Sequence, residues 1–154
     1  MKSLRALLAI GAAALGQVLL VGQLPVLARY CDLFLIVVVY FGLTRPPAIA
    51  MTTGAAAGLV EDALIGPFLG LNGFKKTLLG YLVASFGALF MLNQTVPRFG
   101  ILFLATVLDP FLELGLSLAV GRAFEIPGVL ELVWKGLGNG FFGLLFFWVA
   151  ARLP

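Results

Sequence analysis

Two pairs of ionisable residues have a spacing that would place both members on one face of a helix. Asp109 and Glu113 stand four residues apart in an otherwise apolar stretch, and Glu131 and Lys135 repeat the spacing further on. A charge at the centre of a bilayer costs about 2.5–3.5 kcal/mol on insertion scales, so such acids seldom occur without a role. Asp109 and Glu113 could line a polar cavity or a proton relay, or they could tie helices together. Glu131 precedes Lys135, which is the favourable order for a helical ion pair.

A second group of charges flanks a glycine-rich connection. Glu61 and Asp62 end one apolar stretch, and Lys75 and Lys76 precede the next. Because neighbouring residues on a helix point about 100° apart, at most one of the two acids faces a given partner. A hairpin could bring the lysines within pairing distance of the acids. Alternatively, the lysines could simply mark a membrane boundary.

The rest of the sequence offers little for catalysis. It contains no His and a single cysteine, Cys31, so we expect no zinc, haem or iron–sulfur site and no disulfide within the chain. It has no phosphate-binding loop, nucleophile elbow or metal-binding helix motif. Its serines have no histidine to activate them. We therefore expect a protein that is not an enzyme and that needs no cofactor or metal.

The composition is that of a membrane protein. Of the 154 residues, 62% are hydrophobic and only 11% are charged, against about 25% charged in soluble domains. Such a chain cannot cover itself with polar surface in water. Its formal charge of +3 is spread over isolated basic residues, so it forms no basic groove. These observations exclude an ordinary soluble domain, a disordered tail and a nucleic-acid-binding protein.

The apolar stretches predict an all-α fold, a bundle of about six transmembrane helices in one integral membrane domain, residues 1–154. A helical span needs about 20 apolar residues, so six of them leave room for short connections only. The β-branched run at 36–39 would suggest a strand in a soluble protein, but a lone strand in lipid would leave its backbone unpaired. We expect Pro25 to kink or end the first span. The predicted spans are approximately 6–28, 31–44, 47–65, 77–97, 99–121 and 129–151.

Small residues indicate where helices can approach each other closely. Gly54 and Gly58 form a flat face on the third span, and Ala12 and Gly16 form a smaller one on the first. The orientation of the bundle is less defined, because an even number of spans would leave five basic residues on each side. Lys2 and Arg5 precede the first span, which favours both termini in the cytoplasm.

Residues 54–81 resemble the MreD family, the rod-shape-determining membrane proteins of bacteria. A glycine-rich helix is followed by a Gly-Leu-x-x-Asp motif at 58–62, a Gly-x-x-x-Gly turn at 66–70 and a Lys-Thr-Leu-x-Gly-Tyr motif at 76–81. Asp32 before the second span and Tyr40-Phe41-Gly42-Leu43 at its end also resemble that family. The chain departs from the pattern at Glu61, where family members usually carry an apolar or small polar residue.

The resemblance implies a non-enzymatic subunit of the elongasome, the machinery that builds lateral peptidoglycan and determines rod shape. Such a subunit lies in the bacterial inner membrane among lipids. It binds MreC, a single-span periplasmic scaffold, and lies near a SEDS glycosyltransferase and a penicillin-binding transpeptidase. The family also resembles the six-helix substrate-binding subunits of energy-coupling-factor transporters, which hold a solute cavity. The alternative function is therefore a small-solute or lipid-binding carrier that uses Asp109 and Glu113, and Ala12–Gly16 would be a partner contact.

The same resemblance directs attention to the loop around Asp62. We expect Asp62, with Gly66 and Gly70 shaping the loop, to hold the third and fourth spans together through Lys75 or Lys76. The candidate structural or partner-binding residues are Asp62, Gly58, Gly66, Gly70, Asn72, Lys75, Lys76, Gly80 and Tyr81, and the candidate intramembrane acids are Asp109 and Glu113.

Overall fold

The chain folds into a bundle of helices. The structure, a computed structural model, describes residues 2–65, 69–87, 95–121, 123 and 125–152, with the backbone alone for residues 2 and 3. Within these ranges it contains no strand, which confirms the all-α class. The described helices are α1 (Lys2–Gln23), α2 (Pro25–Tyr30), α3 (Leu33–Thr44), α4 (Pro47–Leu64), α5 (Leu71–Gly87), α6 (Thr95–Ala119) and α7 (Val129–Ala150).

The helix boundaries follow the predicted spans with three differences, one of which is that α6 begins at Thr95, inside the span predicted at 77–97. The first predicted span is divided, because α1 ends at Gln23 and Pro25 begins the short α2. Proline is tolerated at the first position of a helix, since the N–H that it lacks would have no partner within the helix. The fourth predicted span corresponds to α5, which begins at Leu71 rather than at 77. Lys75 and Lys76 therefore both lie inside α5. Four stretches are long and apolar enough to cross a membrane, namely Leu4–Gln23, Pro25–Thr44, Thr95–Ala119 and Val129–Ala150. The other two long helices, α4 and α5, carry ionisable residues near the end where they meet.

Helix α3 occupies the centre of the bundle. It packs against α1, α4, α5, α6 and α7, and every residue from Phe34 to Val39 is buried. A helix that is apolar on all sides belongs in the interior, which explains why the β-branched run forms a helix here, as predicted. Asp32 caps its first turn by accepting the Leu35 N–H at 2.9 Å. The whole core is therefore arranged around a helix of about 18 Å.

Helices α4 and α5 form a hairpin whose backbones touch. A Cβ atom added at Gly54 would collide with the carbonyl oxygen of Lys76, and one at Gly58 would collide with that of Asn72. Further along, a Cβ atom at Gly80 would lie 2.6 Å from the Ala50 carbonyl oxygen. The predicted flat glycine face is thus the surface on which α5 lies, and it brings the charged residues of the two helices together.

Helix α7 accepts side chains of α6 in the same manner. A Cβ atom at Gly136 would lie 2.5 Å from the Phe103 ring, and one at Gly143 would collide with Leu102. The paired helices α6 and α7 also pack on α3. Together with α1, α4 and α5, they therefore surround α3.

Candidate functional site

Lys75 binds the two acids that sequence spacing placed on one face of α6. Its ammonium group lies 3.2 Å from Asp109 Oδ2 and 2.7 Å from Glu113 Oε2. The lysine side chain is 2% exposed and that of Asp109 is 9% exposed, whereas Glu113 reaches the surface with 27%. The two acids thus tie α6 to α5, which is the structural alternative of the two that the sequence left open.

Lys76 likewise binds two acids, which lie on a different side of α5. Its fully buried ammonium group lies 3.0 Å from Asp32 Oδ2 and 2.6 Å from Glu61 Oε2. Asp32 precedes α3 and Glu61 lies in the last turn of α4, so this one lysine joins three helices. Both lysines are interior residues that pair with acids, which is the first of the two alternatives for them.

Asp62 acts through the backbone rather than through a lysine. Its carboxylate accepts N–H groups from Gly70 at 2.8 Å and from Asn72 and Gly73 at 3.1 Å each. Among the described residues, the expected ion pair of Asp62 with Lys75 or Lys76 is not formed. An anion is well placed at these groups, because the first N–H groups of α5 have no partner within the helix and carry its positive dipole.

Two amide side chains extend the network around the start of α3. Asn139 of α7 accepts the Asp32 N–H at 2.7 Å and donates to Thr106 Oγ1 of α6 at 3.1 Å. Gln17 of α1 accepts the Leu33 N–H at 3.1 Å and donates to the Cys31 carbonyl oxygen at 3.2 Å. The backbone at the break between α2 and α3 is therefore bonded to two neighbouring helices, α1 and α7, which satisfies backbone groups that lipid could not.

The charged residues are distributed unequally between the two ends of the bundle. Successive long helices run in opposite directions, since Gly58 faces Asn72 whereas Gly80 faces Ala50. We call the end where α4 meets α5 the acidic end, because it contains all seven acids of the sequence: Asp32, Glu61, Asp62, Asp109, Glu113, Glu125 and Glu131. The opposite end, called the terminal end, contains Lys2, Arg5, Arg45, Arg98 and Arg152.

The other candidate residues predicted from the sequence differ in their positions and contacts. Gly70 has a positive φ of 102°, which favours glycine, and its N–H is one of the Asp62 donors. Asn72 contributes its backbone, and Gly80 lies against α4. Tyr81 is 45% exposed on the outside of α5. Gly66 falls outside the described residues.

Two expected contacts of the sequence are replaced by others. Glu131 pairs with Arg29 of α2 at 2.9 Å, and within the described part of the chain no ion pair within 4 Å joins it to Lys135. Gly16 is not available to a partner, because a Cβ atom there would lie 2.6 Å from Leu33 Cδ1. Ala12 is exposed, so a partner contact remains a prediction for that residue alone.

Three surface recesses in the described part of the chain are lined by mostly apolar atoms. One, of about 300 Å³, lies between α5 and α6 beside Leu79, Phe86 and Leu104. None of the three includes Asp109 or Glu113. The intramembrane acids are thus part of the interior and do not line these recesses.

Sequence reasoning missed several members of the network. Asp32 was noted only as part of a motif, and Asn139, Thr106 and Gln17 were not singled out. A signal existed for Asp32, since an aspartate directly before an apolar run is typical of a helix N-cap. No comparable signal existed for the others, because their partners are distant in the sequence.

The fold and the buried network define a multi-pass, all-helical membrane protein held together by internal ion pairs. The profile of one family, described as rod shape-determining protein MreD, matches residues 6–152. The chain therefore belongs to the MreD family, which confirms the resemblance seen in residues 54–81. The comparisons matched it to no curated protein and to no solved structure.

Proposed function

We propose that this chain is the non-enzymatic membrane subunit of the bacterial cell-elongation machinery that binds an MreC-like scaffold. Through that scaffold it supports lateral peptidoglycan synthesis by a SEDS glycosyltransferase and its transpeptidase partner. The observation that carries the proposal is the family match over residues 6–152. The rod-shape role belongs to the family, and the scaffold and enzyme partners are what we add for this chain.

The geometry favours an assembly subunit over a solute carrier. A carrier that used Asp109 and Glu113 would need these carboxylates directed into a cavity. Instead, both bind Lys75, whose side chain is 2% exposed. Buried polar contacts of this kind fix the positions of membrane helices, as a subunit with a defined docking surface requires.

The unequal ends of the bundle support an orientation with both termini in the cytoplasm. Two of the basic residues at the acidic end, Lys75 and Lys76, are buried in ion pairs, and Arg29 is bound to Glu131. The terminal end contains five basic residues and none of the acids. Because basic residues near span ends are retained on the cytoplasmic side, the terminal end would face the cytoplasm and the acidic end the periplasm.

A reporter fused after residue 154 tests this orientation. We expect a C-terminal fluorescent protein that matures only in the cytoplasm to be bright, and a C-terminal alkaline phosphatase, active only in the periplasm, to be inactive. An active phosphatase fusion with a dark fluorescent fusion would show that the orientation is reversed.

Co-purification tests the partner. The tagged full chain is expressed in a bacterial membrane with an MreC-like scaffold, or with the same scaffold carrying an unrelated membrane span. We expect the first scaffold to be recovered in a constant ratio through size-exclusion chromatography, and the second to be recovered weakly or not at all. Failure to recover either scaffold, together with a solute or lipid found inside the purified protein by mass spectrometry, would favour the carrier instead.

A further inference from the structure

The buried network contains more acids than bases. Two ammonium groups, Lys75 and Lys76, contact four carboxyl groups among the described residues, and three of those four are nearly inaccessible. If all four were ionised, the network would carry two excess negative charges. Uncompensated charge in a low-dielectric interior is strongly unfavourable, and proteins relieve it by neutralising a group.

The network is also short of hydrogen-bond donors. Asp109 is 6% exposed, and its buried Oδ1 has no donor among the described residues. Glu61 Oε2 lies near the Lys76 ammonium but has no aligned donor in the same part of the structure. Buried polar atoms normally have partners, so two acceptors in this condition point to an additional proton, independently of the charge count.

Asp32 is in surroundings that favour its charged form. It caps the N-terminus of α3, where it accepts the Leu35 N–H at 2.9 Å and where the helix dipole favours an anion. It also lies 3.0 Å from Lys76 Nζ, and the nearby Lys135 of α7 attracts its charge. Asp62 is comparable, since it accepts three backbone N–H groups.

Glu61 is in the opposite situation. It lies in the last turn of α4, at the negative end of the helix dipole, where an anion is disfavoured. Among the described residues, the cation paired with it is Lys76, which is already bound by Asp32, and Asp109 of α6 repels its charge. Glu61 is thus the member of the network for which the surroundings least support ionisation.

We propose that the network is a binding site for one proton, carried on the Glu61 carboxyl group. The group formed by Asp32, Lys76 and Glu61 is then neutral, with one anion, one cation and one carboxylic acid. The proton also turns an acceptor into a donor where acceptors are in excess. Loss of this proton would place a second anion on Lys76 and beside Asp109, which would loosen the contact between α4 and α5.

Helices α1, α3 and α5 pack against α4, and α6 also places a charge that acts on Glu61. Helix α3 contributes Asp32 and α5 contributes Lys76, while Asp109 acts from α6. From α1, the charged side chain that the structure describes is Arg5, which is exposed. Arg5 lies twelve residues before Gln17 of α1, or about 18 Å along the helix, and Gln17 marks the acidic end.

The test compares Glu61→Gln, which imitates the protonated acid, with Asp32→Asn as the matched control. The purified full chain is unfolded by heat in lipid nanodiscs across a range of pH. At neutral pH we expect Asp32→Asn to lower the midpoint clearly and Glu61→Gln to raise it, because the folded wild type must keep a proton that its unfolded chain releases. That cost is absent in acid, so the wild type should lose stability relative to Glu61→Gln as the pH rises from acid to neutral.

Infrared spectroscopy supplies a second measurement that does not depend on the control being folded. The wild-type protein should show the C=O stretch of a protonated carboxyl group at neutral pH, and Glu61→Gln should lack it. The proposal would be overturned if the band were absent from the wild type or unchanged in the variant, or if the two pH profiles coincided. A stability that follows sodium concentration at fixed pH, without the band, would replace the proton with a metal cation.

Discussion

Replacing Lys76 by methionine removes the cation that two buried carboxyl groups share. The methionine side chain fills nearly the same space, so the change isolates the charge from the packing. Asp32 and Glu61 lie 3.0 and 2.6 Å from the ammonium group, whose side chain is inaccessible. Removing one partner of a buried ion pair typically costs about 3–5 kcal/mol, because the other charge stays buried without compensation. We expect Lys76→Met to lower the free energy of unfolding by about this amount.

Two further lysine and arginine variants turn this value into a graded series. In Lys75→Met, the Glu113 partner is 27% exposed and can regain water, so we expect a smaller loss of about 1.5–3 kcal/mol. Arg29 binds Glu131 with a side chain that is 64% exposed, and Arg29→Met should change stability little, since exposed ion pairs contribute little. The order of the three losses follows the burial of each pair.

The assay is equilibrium unfolding of the purified variants in mixed micelles, followed by the fluorescence of Trp134 and Trp148. Both tryptophans lie on α7, outside the ion pairs that are removed. The reasoning would be refuted if Lys76→Met were no less stable than Arg29→Met. It would also be refuted if Lys75→Met and Lys76→Met unfolded alike, because burial would then not determine the cost.

Three other changes test separate parts of the structure by the same unfolding measurement. Gly58→Ala forces a Cβ atom against the α5 backbone and should lower the free energy of unfolding by about 1–3 kcal/mol. The control Gly115→Ala, where an added Cβ atom would meet no atom within 4 Å, should be neutral or stabilising. Equal effects of the two changes would contradict the hairpin contact. Asp62→Ala leaves three N–H groups without their acceptor and should cost about 1–3 kcal/mol, with faster amide exchange at the start of α5; unchanged exchange there would count against this role. Asn139→Leu deprives the Asp32 N–H of its acceptor and should cost a similar amount, and a wild-type stability would show that this bond is dispensable.

The helices themselves could be predicted from the sequence because they depend on local properties. Uncharged stretches, Pro25 and the stop at Arg45 and Pro46 define where helices begin and end. The buried run at 36–39 was assigned correctly because lipid permits a helix and not a lone strand. The start of α5 was missed, since Gly70 and Gly73 resemble a turn and the N–H acceptor that stabilises the helix start is Asp62.

The pairing within the network could not be predicted, because it depends on which helix faces pack against each other. Lys76 and Asp32 are 44 residues apart, and Asp32 and Asn139 are 107 apart. The spacing correctly predicted that Lys75 and Lys76 could pair with acidic residues. Only Glu61 and Asp62 were considered as their partners. Five basic residues on each side gave no orientation because the sequence does not reveal which of them are buried.

The linking role of α5 in the network follows from the adjacency of its two lysines. Since neighbouring residues on a helix diverge by about 100°, Lys75 and Lys76 reach different neighbours: the first binds α6, and the second binds the start of α3 and the end of α4. Neither lysine can replace the other without turning α5 by that angle, which the backbone contacts at Gly54 and Gly58 prevent. The glycines thus set the rotation of α5 about its axis, and the lysines use this rotation to hold three other helices at the acidic end.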